Sequence, residues 1–291
     1  MSFRAEKRVP ASRLHRQAAA VGLAVVLTAG TLAPPLGAWE GRTHRLVTVR
    51  AIEALPYPLR DFFEGNRPAI AQLVANPAQW GEEAVRAENG FIRLDHYGRY
   101  PFADLPRDYN VAVRRFGRRK LIEQGTLPWQ VGSYSLKLEE AFRNQQWDKA
   151  KLYAAILAHY VAEAHDPFNT TLNYNGELSN QLGVDSRYSR SLVERYQPFF
   201  IIRPGGAFKI DDPTAYAFGM VMEANTWLDN ILLADAQARA GKIDYNDEYY
   251  DAFYEGAGPI LVRQLTSASQ DVSAYWYSAW VNAGRPDLPA Q

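Results

Sequence analysis

The chain contains no cysteine, which excludes disulfides, thiolate metal ligands and thiol nucleophiles together. Histidine is scarce, at five residues in 291, so a site built on imidazole has few candidates. Net charge is absent as well. The 32 Lys and Arg balance 32 Asp and Glu, and nothing suggests a broad basic surface for nucleic acid. Strand-type alternation of apolar and polar residues is almost missing, as are repeats, low-complexity tracts and Ser/Gly linkers. The sequence has no Gly-x-Ser-x-Gly elbow, no Walker-type phosphate loop and no His-Glu-x-x-His pair, and no local sequence supports a Ser-His-Asp triad.

What is present is a globular composition, 47% hydrophobic and 22% charged, in a length that allows one large domain or two small ones. The balanced charge hides an asymmetry: residues 1–38 hold five basic residues against one Glu, and the remainder is net acidic. Arg4, Lys7, Arg8, Arg13 and Arg16 form a basic head, residues 18–33 are apolar or small, and Leu36-Gly37-Ala38 ends the segment. That order is the order of a secretory signal. The apolar stretch is shorter than the roughly 20 residues of a membrane span. An uncleaved anchor is the alternative. The reading predicts cleavage between Ala38 and Trp39 and a protein that is exported, periplasmic or secreted, with no membrane span once cut. Its domains are 1–38 as signal peptide and 39–291 as one body.

Helical periodicity dominates residues 39–291. Helices are predicted over 43–55, 107–123, 129–142, from Asp148 as N-cap through Val161, from Asp212-Pro213 to about Ala240, and over about 259–283. Residues 89–105, 169–187 and 197–211 read as irregular, with a short strand possible at 199–202. The fold class is therefore all-α, a single multi-helix domain with long loops and little or no β structure.

Four histidines follow residue 38: His44, His96, His159 and His165. His159 and Glu163 are four apart on a helix and share one face. Imidazole nitrogen and carboxylate oxygen are both zinc ligands, although such a pair is commonly just a surface hydrogen bond. Here the helix around the pair is apolar (Ala155, Ile156, Tyr160, Val161), and buried polar groups need partners. Trp39, once N-terminal, would offer its amine and carbonyl oxygen as a chelate. Otherwise it is a core aromatic near a cleavage site.

In order, these residues resemble the zinc-dependent phospholipases C and the single-strand-specific zinc nucleases. Trp39 and His44 match the start of their pattern. Trp80-Gly81-Glu82 matches the acidic element, with His96 fourteen residues later. His159-Tyr-Val-Ala-Glu163-Ala-His165-Asp166-Pro167-Phe168-Asn169 matches the central helix, and Ala279 to Pro286 matches a common ending. The similarity covers about residues 39–190. It implies one metal site of Glu82, His96, His159 and Glu163, and a neighbour of the Trp39 amine and carbonyl, His44 and Glu163 as bridge. Glu replaces Asp twice. A third site is degenerate: Asn169 replaces one histidine, and Asp185 and Ser189 replace the later His–acid pair. The alternative register Arg190 to Glu194 is no better. The implied cofactor is Zn2+, two ions, with the third position suited only to a hard cation such as calcium or magnesium.

The activity implied is hydrolysis of a phosphodiester, phospholipid or single-stranded nucleic acid, by metal-bound hydroxide. Glu82 is both ligand and candidate catalytic base, and Arg93, Arg187 or Arg190 is a candidate substitute for the missing third metal. Two other classes remain: a catalytically weakened relative acting as a metal-holding binding protein, and a helical structural protein whose histidines are core residues.

Overall fold

The computed structural model describes Trp39, residues 41–240 and residues 244–289. The basic-apolar segment 1–38 and the Ala38–Trp39 junction lie outside them. All described residues belong to one unit, residues 34–291, and none of them is in a strand. No helix among them is long and apolar enough to cross a membrane.

Twelve α-helical elements carry the described fold: α1 Gly41–Glu53, α2 Leu59–Gly65, α3 Arg67–Val74, α4 Tyr109–Phe116, α5 Arg118–Gln124, α6 Leu127–Arg143, α7 Trp147–Ala164, α8 Val184–Ser186, α9 Leu192–Tyr196, α10 Pro213–Asn225, α11 Leu228–Arg239 and α12 Asp247–Asn282. A π-helical turn, Arg187–Ser191, joins α8 to α9. Helix α7 is the central post. Every residue from Ala154 to Ala164 is buried, which a helix that is apolar all round requires. Helices α1, α3, α6, α10 and α12 pack around it. Trp276 of α12 anchors the core by donating its indole N–H to the Ala154 carbonyl at 3.0 Å and stacking on Phe63 at 4.2 Å.

The all-α fold class holds, and several boundaries move for local reasons. The helix expected over 107–123 breaks at Gly117, whose φ of +83° no helix accommodates. The helix expected from Asp212-Pro213 to about Ala240 divides at Thr226–Trp227, where the Thr226 hydroxyl bonds back to the Glu223 carbonyl at 2.7 Å. Asp148 is not the N-cap of α7: Gln146 is, and Asp148 sits in the first turn, paired with Lys151 at 2.8 Å. Helix α12 begins twelve residues before Pro259 and runs through it. The carbonyl that Pro259 leaves unbonded is that of exposed Glu255, which water can reach, while buried Tyr249 and Phe253 hold the preceding turns. The short strand entertained at 199–202 is absent. Residues 200–210 are irregular, and an isolated strand has no ladder partner in an all-helical body.

Candidate metal centre

Helix α1 buries His44, Val47, Thr48, Ala51 and Ile52, an i, i+3, i+4, i+7, i+8 stripe that starts at His44, with Thr43 buried beside it. Gly41 lets that start approach α3, since a Cβ there would lie 3.0 Å from the Ala75 Cβ. His44 therefore meets α7, where His159 and Glu163 occupy one face a helical turn apart. Ligand atoms of His44, His159 and Glu163 all lie within 4.8 Å of one another. His44 Nε2 is 3.0 Å and His159 Nε2 3.4 Å from the same oxygen, Glu163 Oε1. The two imidazoles stack at 3.9 Å, and the edge of Trp80 closes on His159 at 4.8 Å. A cavity of about 290 Å³ opens beside them, lined by Trp39, His44, Val74, Ala75, Pro77 and His159.

The electrostatics favour neutral rings. Burial lowers His44 from its usual 6.5 to about 3, against a smaller upward pull from the Trp39 backbone. Burial and the nearby His44 lower His159 to about 3, opposed by Glu163 and the Val74 carbonyl. His159 Nδ1 faces that carbonyl at 3.3 Å and can only donate to it. In the neutral ring this leaves a lone pair on Nε2, pointing at a carboxylate oxygen that also carries only lone pairs. Two acceptors facing each other in a buried site need a cation between or beside them. Two imidazoles and one carboxylate are a donor set suited to zinc. The residues present fit such a metal.

On the other side of Glu163 the chemistry changes. Asn169 donates from Nδ2 to Glu163 Oε2 at 2.5 Å and to the Glu163 carbonyl at 3.1 Å. Asp166 is fully buried: its Oδ1 accepts the Phe168 N–H, and its Oδ2 has no hydrogen-bond partner among the described residues. Burial, then Asp185, then Glu163 raise the Asp166 carboxyl well above its usual value. Burial raises Asp185 to about 7, although the Ser189 hydroxyl opposes this by donating to its Oδ1 at 3.1 Å. This flank offers only oxygen atoms and the Asn169 amide.

The structure thus brings together His44, His159 and Glu163, with Trp39 in the cavity wall, and sets Asn169, Asp185 and Ser189 behind them. It does not bring Glu82 or His96 to the group. Trp80 is pinned by its indole N–H to the Leu73 carbonyl at 2.8 Å. Gly81, at φ +90°, then turns the chain so that Glu82 faces solvent. In the 3-10 turn Leu94–Tyr97, the apolar Leu94 and Tyr97 take the buried positions and leave His96 exposed. His165 turns away from the group. Its ring lies 2.9 Å from Asp271 Oδ2 and 3.2 Å from Gln264 Oε1, fastening the end of α7 to α12. Two features escaped sequence reading: Asp166 as a buried acid, and Asn169 as a donor to Glu163. The only signal for either was their place in the segment His165 to Asn169.

No protein-family model matches the chain, and no curated protein matches it in sequence. Among solved structures the fold is similar to that of the alpha-toxin from an avian strain of Clostridium perfringens. The TM-score is 0.53 and the identity 10%, over 81% of this chain and 63% of that one. It is also similar to the alpha-toxin of Clostridium absonum, with a TM-score of 0.52 and 14% identity, over 84% of this chain and 65% of that one. The chain spans less than two thirds of the length of either toxin, and the likeness is one of fold.

Proposed function

We propose that the chain is an exported, zinc-dependent hydrolase of phosphodiester bonds, acting on phospholipid or nucleic acid. The observation that carries this reading is the buried group of two neutral imidazoles converging on one oxygen of Glu163. The ordered motifs and the fold it shares with two alpha-toxins support it.

His44 Nε2, His159 Nε2 and Glu163 Oε1 would hold the metal. A metal bound there supplies Lewis acidity, which acidifies water toward neutral pH and polarises a phosphoryl oxygen. The rest is the work of this chain. The Val74 carbonyl holds the His159 tautomer that keeps Nε2 free to ligate. Asn169 holds Glu163 Oε2 and so aims Oε1 at the two rings. Trp80 and Val74 keep the His159 side of the cavity apolar. In the uncut chain the Trp39 nitrogen is a peptide nitrogen, and cleavage after Ala38 turns it into an amine able to ligate. Glu82 and His96 belong to this reading as further ligands only through movement of the turns that carry them.

A second reading is favoured by the exposure of those two residues: a weakened relative that holds metal as a binding protein. Elemental analysis of protein cut at Trp39, paired with an assay on a generic activated phosphodiester, separates the two. Zinc with turnover supports the hydrolase, zinc without turnover supports the binding protein, and absence of zinc removes both.

A further inference from the structure

Three arginines lie near the loops behind Glu163, and the structure separates them. Arg187 is buried and engaged: its guanidinium meets Asp235 Oδ1 at 2.9 and 3.0 Å and the Leu182 carbonyl at 2.8 Å. Arg190 is exposed and donates to the Ser186 hydroxyl. Arg93 is different. Its guanidinium lies 4.8 Å from the centre of the Phe91 ring and 4.9 Å from that of Tyr174. No acid or hydrogen-bond acceptor meets that guanidinium among the described residues, although Arg93 is half-buried.

Its placement is fixed from several directions. The Arg93 N–H donates to the Gln124 carbonyl at 2.7 Å, and the neighbouring Ile92 N–H donates to the Asn169 carbonyl at 2.8 Å. Asp95 Oδ2 accepts from the Leu172 N–H and the Thr171 hydroxyl, each at 2.7 Å. Residues 91–95 are thereby joined to the loop 169–174, which begins at the amide that holds Glu163 and ends at the ring that flanks Arg93. Two aromatic neighbours attract the cation and restrict it, but they offer its N–H donors no acceptor. A guanidinium held in place by two rings and met by no protein acceptor presents a planar fork of N–H groups, which matches the oxygens of a phosphate.

We infer that Arg93, held between Phe91 and Tyr174, is an anion-binding residue that takes a phosphate-ester oxyanion beside the loop 169–174, whose first residue holds Glu163. Its placing of substrate phosphate rests on the hydrolase reading; the binding of phosphate itself does not.

The test uses the cut, zinc-loaded protein and inorganic phosphate as probe, by calorimetric titration. Arg93→Ala is expected to weaken phosphate binding about tenfold, and Arg93→Lys several-fold, because an ammonium keeps charge but lacks the fork. Tyr174→Leu, which removes one ring, is expected to weaken it about threefold. Zinc content and the circular dichroism spectrum should stay unchanged in all three, and Arg93→Lys stands in if Arg93→Ala fails to fold. A micellar short-chain phosphatidylcholine and a single-stranded oligothymidylate form two kinetic arms. In the arm that is substrate, Arg93→Ala should raise KM about tenfold and leave kcat within about threefold. Phosphate affinity unchanged by removing the guanidinium, or no phosphate binding by the parent protein, overturns the inference. Arg93-dependent phosphate binding in a protein that cleaves neither substrate keeps the anion site and removes the hydrolase reading.

Discussion

Glu163 stands between two buried regions of opposite chemistry. On one side its Oε1 meets two imidazole nitrogens, on His44 and His159. On the other its Oε2 meets an amide, with two raised carboxyls behind it and no imidazole. Burial acts on both, but it pushes the titrations apart. It keeps the histidines neutral by lowering them and the aspartic acids neutral by raising them. The first flank thereby offers donors that would suit zinc in the proposed reading, and the second suits a proton or a hard cation. The difference between the two regions is a difference of donor type rather than of burial.

The largest effect should come from removing the group the two flanks share. Glu163→Gln takes away the negative charge between the imidazoles and is expected to abolish stoichiometric zinc. Diester turnover should fall by at least about 100-fold, beyond the 10–100-fold typical of outer-shell losses. Elemental analysis and the diesterase assay check this. Full zinc content in the variant would mean that the two regions are not joined through Glu163.

The titrations supply the next contrast, in chelator-treated protein. His44 and His159 stand near 3 when folded, against 6.5 as the ordinary value. The unfolded chain therefore takes up the extra protons, and stability falls as pH drops from about 6.5 toward 3. Asp185 runs the other way, near 7 when folded against 3.8. Its contribution is full below 3.8 and is lost as pH rises through 7. Melting temperature should thus decline on both flanks of a mildly acid maximum. Asp185→Asn should raise it by several degrees near pH 8 and leave it unchanged below about pH 3.8, where the carboxyl is protonated in both states, on the scale of about 2–4 °C per kcal/mol for a body of this size. Two imidazoles outweigh one carboxyl up to about pH 6.5, so a melting temperature in the parent protein that does not decline above that pH would show that the oxygen flank is not held neutral. Bound zinc should be released on the acid flank as the imidazoles protonate.

Where sequence reading succeeded, the governing interaction was local. His159 and Glu163 share a face because they are one turn apart, and the stripe through His44 is a period that the chain displays. Where it fell short, burial and backbone turns decided, which the chain does not display. Helix α12 passes Pro259 because the buried rings of Tyr249 and Phe253 carry the preceding turns, which no window around the proline shows. Glu82 and His96 have the right spacing in the chain, yet Gly81 and the burial of Leu94 and Tyr97 turn them outward. Nor does sequence show that Asn169 donates to Glu163, that Asp166 is buried without a second partner, or that Arg187 is tied to Asp235 while Arg93 is not.

A gain of function tests the oxygen flank more gently than a loss. The parent protein should bind no zinc there, since an amide, a hydroxyl and a carboxyl bind it poorly beside imidazole. Asn169→His, Asp185→His and Ser189→Glu together exchange oxygen donors for the nitrogen-rich set and are expected to add one zinc per chain, counted by elemental analysis. Unchanged zinc content would mean that these three positions do not converge.

The smallest effect expected is that of Asn169→Ala. The amide is no metal ligand in this reading. It fixes one oxygen of Glu163 so that the other faces the imidazoles, through bonds of 2.5 Å to Oε2 and 3.1 Å to the backbone. Removing it frees the carboxylate to turn and leaves Oε2 buried without that donor. Zinc affinity should fall about tenfold, at the low end of the range for outer-shell partners of a metal site, with stoichiometry retained at saturating metal. Asn169→Asp replaces the donor by a second carboxylate, which repels Glu163 and should weaken zinc further unless a hard cation is supplied. Competition titration against a zinc-chelating dye, with and without millimolar calcium, reads both variants. If Asn169→Asp binds zinc as well as the parent protein in the absence of calcium, the amide donor does not shape Glu163, and the separation of the two flanks lies elsewhere in the fold.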